Sequence, residues 1–132
     1  MEYRLTITAE ADYLHILVTG TNSPETVAAY LAEVQQACLA RQCFRVLIEE
    51  DLAGPRLTTF PVFRVAADAS ERAVGVLQAI AYVDARAQGE LMQFAATVAR
   101  NRGLPVAVFP TVALAREWLA RTAVPIAENS SQ

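Results

Sequence analysis

The chain has no lysine; its eleven basic side chains are all arginine. Without Lys there is no P-loop lysine, no Schiff-base amine, no Ser–Lys nucleophile pair and no receiver-type phospho-acceptor site, which needs a Lys. Cysteine and histidine are scarce too: Cys38, Cys43 and His15. A structural zinc site takes four such ligands, so the set falls one short even if all three met. In a reducing compartment the two cysteines read as small buried hydrophobes rather than a disulfide. No apolar run approaches the ~20 residues that span a bilayer; the longest lies around Ile80–Val83. Residues 1–20 show no basic start leading into an apolar run, so no signal peptide is read and a cytoplasmic location is expected. Net charge is −3, which leaves no basic field to attract nucleic acid.

What is present suits a compact core. The chain has 132 residues, 54% hydrophobic and 19% charged, enough for one domain. That domain is expected over 1–122, with 123–132 turning polar as a loose tail. Tyr3-Arg-Leu-Thr-Ile-Thr8 alternates apolar with polar, the period of a half-buried strand. Tyr13–Thr19 follows after a short polar break, so the chain should open on an antiparallel hairpin. Ser23-Pro24 is a helix start, with Ser as N-cap and Pro at the first helical position. Val27, Tyr30, Leu31, Val34 and Cys38 then recur at helical spacing up to about Arg41.

Phe44–Ile48 reads as a strand, and the acidic Glu49-Glu-Asp51 as the start of the loop after it. A second helix is expected from Thr59–Pro61 to about Ala69–Ala73. Val74–Val83 is nearly all apolar and reads as a central strand covered on both faces. A third helix covers Gln88–Arg102 and stops at Gly103; Val106–Phe109 is the last strand. Thr111 caps a final helix whose inward face is Leu114, Ala115, Trp118 and Leu119. The order is β-β-α-β-α-β-α-β-α: a single α/β domain with a five-stranded, mostly parallel sheet and about four helices.

Three groups of residues are candidates for function. Glu49, Glu50, Asp51 and Asp84 stand at strand ends, where ligands of open parallel sheets collect. Oxygen ligands there could hold Mg²⁺, or simply solvate a loop and cap a helix. Thr58 and Thr59 are a helix cap or a phosphorylation switch beside Arg56. Leu52, Leu57, Phe60, Val62, Phe63 and Val65 make a segment more apolar than one buried stripe needs, and Pro55 and Pro61 bracket it. It packs deep in the core, or forms a lid or interface. His15 has no base or nucleophile near it in sequence, and Arg100 and Arg102 suit the end of a helix. Trp118 reads as a core anchor. No cofactor-binding motif is read anywhere in the chain.

The element order, with Cys43-Phe-Arg-Val-Leu-Ile-Glu-Glu-Asp51, Thr97-Val-Ala-Arg-Asn-Arg-Gly-Leu-Pro-Val-Ala-Val-Phe109 and Ala115-Arg-Glu-Trp-Leu119, resembles the bacterial SpoIIAA-like family, of STAS/SEC14-like fold. The resemblance covers most of 13–119, and Ala99–Phe109 is its most specific part. It implies a non-catalytic domain that, in antagonist-type members, binds a partner kinase; for this chain a protein partner or homo-oligomer is expected. It also implies, for antagonist-type members, a Ser/Thr switch in an Asp-Ser-Ser/Thr-Gly-Leu signature. Here the stretch is Asp51-Leu-Ala-Gly-Pro-Arg-Leu-Thr-Thr59, and that wording is absent. SEC14-like relatives imply instead a lipophilic small molecule or peripheral membrane contact, with 52–65 as the lid.

Overall fold

A computed structural model describes residues 3–54, 67–68, 71, 75–84 and 89–122. Its elements are β1 (Tyr3–Ala9), β2 (Leu14–Thr21), α1 (Pro24–Arg41), β3 (Arg45–Ala53), β4 (Ala79–Asp84), α2 (Gly89–Asn101), β5 (Val106–Phe109) and α3 (Val112–Arg121). The strands form one sheet in chain order, β1-β2-β3-β4-β5. β1 is antiparallel to β2, and every later pair is parallel. The expected α/β class and opening hairpin are both present. Three helices are described rather than about four. The segment expected to form the other lies largely outside the described residues, though Ala67, Asp68 and Glu71 are helical.

Local chemistry fixes the helix ends. Ser23 Oγ accepts the Thr26 N–H at 3.0 Å, and Pro24 opens α1. Gln42 closes it in the left-handed region, φ 52°, with its N–H on the carbonyls of Cys38 and Leu39. Thr111 Oγ1 accepts the Leu114 N–H at 3.2 Å and starts α3.

Two cores sandwich the sheet. The steps β2–α1–β3 and β4–α2–β5 move the same way across it, so right-handed crossovers put α1 and α2 on one face. There Ile16, Val18, Val46, Ile48 and Ile80 pack with Tyr30, Val34, Cys38, Ala96 and Ala99. Among the described residues, α3 is the helix on the other face, where Leu47, Ala81 and Val83 meet Ala115 and Leu119. It lies over β3, β4 and β5. Leu114, expected inward, is 44% exposed. It falls in the first turn of α3, ahead of the Ala115–Leu119 pair that meets the sheet.

Two strand boundaries differ from the sequence reading. β4 begins at Ala79, because Gly75 at φ 83° turns the chain inside the apolar run. β3 continues through the acids to Ala53, so Glu49, Glu50 and Asp51 are strand residues rather than loop residues. Thr19 and Gly20 of β2 pair in register with Asp51 and Leu52, and the Asn22 N–H bonds Ala53 O at 2.7 Å. These main-chain bonds hold the acidic stretch extended.

Arg45, at the start of β3, is 8% exposed. Its Nε donates to Asp12 O at 3.2 Å and Nη1 to Thr122 O at 3.1 Å, while Nη2 donates to Leu119 O. A buried cation thus sits at the C-terminal end of α3, where the helix dipole is negative. It ties the last helix and the hairpin turn to the central strand.

Candidate functional site

Extending β3 through its acids has a direct consequence, because successive strand side chains point to opposite faces. Glu50 and Leu52 face α1, whereas Glu49 and Asp51 face the α3 side. The expected group Glu49, Glu50, Asp51 and Asp84 is therefore divided by the sheet. Glu50 and Asp84 stay together: they are register partners on β3 and β4, 5% and 9% exposed. Glu49 and Asp51 are half-buried on the opposite face.

Glu50 is met from two elements. Tyr82 on β4 donates its hydroxyl to Glu50 Oε2 at 2.7 Å. Tyr30 on α1, with no exposed surface, donates to the same oxygen, and the two hydroxyls also touch each other. Burial and the neighbouring Asp84 carboxylate raise the Tyr82 pKa above its ordinary value. Both effects disfavour the phenolate, so Tyr82 remains a donor. A carboxylate held by phenol donors satisfies the rule that buried charges carry hydrogen bonds. In the sequence Tyr30 and Tyr82 stand within apolar stripes. The only available signal was a hydroxyl at each of two core positions flanking an acid-bearing strand.

A second polar pair lies on the far face. His15 Nε2 and Glu49 Oε1 are 3.0 Å apart, with side chains 17% and 30% exposed. His15 is paired with Thr8 in the β1–β2 register and with Leu47 in the β2–β3 register. Its carboxylate partner is 34 residues away, so no local pattern around His15 could reveal it.

Among the described residues, no three His, Cys, Asp or Glu side chains are grouped to hold a metal ion. Leu52 has no exposed surface and belongs to the core beside α1. Leu57, Thr58, Thr59, Phe60, Val62, Phe63 and Val65 lie outside the described residues. No helix among the described residues is long and apolar enough to cross a membrane.

The Ala99–Phe109 stretch builds the edge of the sheet. Gly103 adopts φ 92° and ends the helical run, and Leu104 N–H returns to Ala99 O at 3.0 Å. Arg100 Nη1 donates to Val106 O at 3.0 Å. Trp118 packs on Phe109 with ring centroids 5.5 Å apart. An open cleft of about 460 Å³ runs along this edge, lined by Arg100, Leu104, Pro105, Val106 and Trp118. Trp118 is only partly buried, so it is a wall of the cleft as well as a core contact. No protein-family model matches the chain, and no curated protein matches it.

Proposed function

We propose that this chain is a non-catalytic, STAS-like binding domain that acts through contact with a protein partner. The observation that carries this reading is the division of the strand-end acids. Glu50, the most buried of them, is engaged by Tyr30 and Tyr82, and Glu49 is paired with His15 across the sheet. An acid–base or metal mechanism needs carboxylates converging on one point that substrate can reach. These acids instead brace the sheet at the end where its connections emerge. The element order β-β-α-β…β-α-β-α adds support, since it is the order the SpoIIAA-like resemblance rests on.

The test is affinity purification of the tagged chain from its own cells, with mass spectrometry of the chain and of whatever accompanies it. A stoichiometric protein partner is expected. Phosphate on Thr58 or Thr59 would add a switch to the contact. Organic extracts that carry bound lipid, with no protein partner, would replace this reading with the lipophilic-ligand one. Hydrolytic or transfer activity lost on substituting Glu50 or Asp84, with fold retained, would refute it.

A further inference from the structure

The sheet has two edges, and they are treated differently. Edge strands invite pairing with another chain unless they are short, charged, proline-bearing or covered. β5 has four residues between Pro105 and Pro110, and Arg100 occupies the outward carbonyl of Val106. β1 has seven residues, no proline, and one charge, Arg4. Its Tyr, Thr and Ile residues suit a strand.

The phase of β1 follows from its turn. Glu10 N–H bonds Tyr13 O at 2.9 Å, continuing the β1–β2 register, so the even residues of β1 turn their main-chain groups toward β2. Tyr3, Leu5, Ile7 and Ala9 therefore direct theirs outward. Among the described residues, no main-chain bond reaches that side. The strand is also held in place: Tyr3 Oη donates to Glu33 on α1 at 2.7 Å.

We infer that β1 pairs antiparallel with β1 of a second copy of this chain, about a twofold axis at Thr6, giving one ten-stranded sheet. A symmetric contact must be self-complementary, and this strand is. With the axis at Thr6, Leu5 meets the partner's Ile7 and Tyr3 meets the partner's Ala9. All are outward-bonding positions, so the four pairs exchange about eight main-chain hydrogen bonds over about 23 Å. Leu5, Ile7 and Tyr3, partly exposed in one copy, would lie side by side beneath the two α1 helices. On the other face Thr6 meets the partner's Thr6. Arg4 meets the partner's Thr8, one diagonal step from the partner's Glu10. Arg4 and Glu10 are both exposed in the single chain, and the axis generates that opposite-charge approach twice. This inference does not rest on the proposed function.

Light scattering on the purified chain should give a mass of twice 14.3 kDa. Thr6 is exposed, so substitution there spares the core. Thr6→Lys and Thr6→Glu each place like charges in direct opposition. Thr6→Lys, which also meets Arg4 of both copies on that face, should weaken the dimer by about fivefold while circular dichroism is unchanged; Thr6→Glu, flanked by the same arginines, should weaken it less, and mixing the two variants should restore it. Thr6→Cys should form an intermolecular disulfide, because non-hydrogen-bonded pairs hold Cα atoms about 4.5 Å apart. Arg4→Cys should not, since its twin is roughly 13 Å away along the strand. A monomeric parent chain, or a dimer indifferent to both charges at Thr6, would overturn the inference.

Discussion

Replacing Arg45 by methionine tests whether the buried cation holds the last helix in place. A net hydrogen bond to a charged group contributes about 1.5–3 kcal/mol, and Arg45 makes three. Against that stands the cost of burying a guanidinium, several kcal/mol, which methionine removes while filling the same space. The balance is a loss of about 2–4 kcal/mol. With a slope near 1.5 kcal/mol per molar urea, the midpoint should fall by about 1.5–2.5 M. Trp118, the chain's one tryptophan, sits on α3 against Phe109, so its fluorescence reports this helix directly. Lysine at the same position keeps the charge but not the fork of donors, and should fall between the two. If Arg45→Met unfolds within about 0.5 kcal/mol of the parent, the three bonds merely offset desolvation and the latch argument fails.

Other outcomes follow from the same geometry. Tyr30→Phe and Tyr82→Phe should each cost about 1–3 kcal/mol in urea unfolding by taking a donor from buried Glu50, and Tyr→Phe changes that cost nothing would show that the cluster is not structural. Cys38 is pushed up from 9.0 to about 11 by burial and the nearby Cys43, and Tyr82 is raised above 10.0. The folded chain thus keeps protons that the unfolded chain releases. Stability should be intact below about pH 9 and decline as pH rises through 9–11 and beyond, which alkaline urea titrations would check. At mildly alkaline pH a thiol reagent should label partly exposed Cys43 well before fully buried Cys38; equal rates would contradict the burial. Gln42→Gly should raise stability by about 0.5–1 kcal/mol by relieving the left-handed backbone at the end of α1, and a loss on thermal melting would count against that cap geometry.

The sequence was most legible where structure is local. Ser23-Pro24 and Thr111 act on N–H groups three residues away, and both caps stand where the pattern puts them. Period-two alternation marks β1, an apolar run after a short polar break marks β2, and the β-branched, aromatic run at Phe44–Ile48 marks the first half of β3. The second half did not, because three consecutive acids look like a loop. They stay in the ladder through main-chain pairing with Leu17–Thr19 of β2 and, for Glu50, through hydroxyls 20 and 32 residues distant. The run at Val74–Leu77 misled in the opposite sense. Its side chains are apolar, and Leu77 is buried, but the left-handed Gly75 turns the chain, and main-chain pairing starts only at Gln78, whose N–H bonds Phe44 O at 2.7 Å. The candidate acids lie toward the ends of β3 and β4. Their separation onto two faces depends on the strand's length, which residue types alone did not reveal.

That separation makes β3 a strand with two independent addresses. Glu49 and Glu50 are joined by a single peptide bond, yet one answers to half-buried His15 and the other to tyrosines on the face that α1 covers. Tolerance to substitution along 49–52 should therefore rise and fall with every residue. Changes at 49 and 51 can retune what the open face meets while the core is undisturbed. Changes at 50 and 52 must be matched from α1 or β4 before the chain folds. Adjacent codons are thus free to evolve under unrelated pressures.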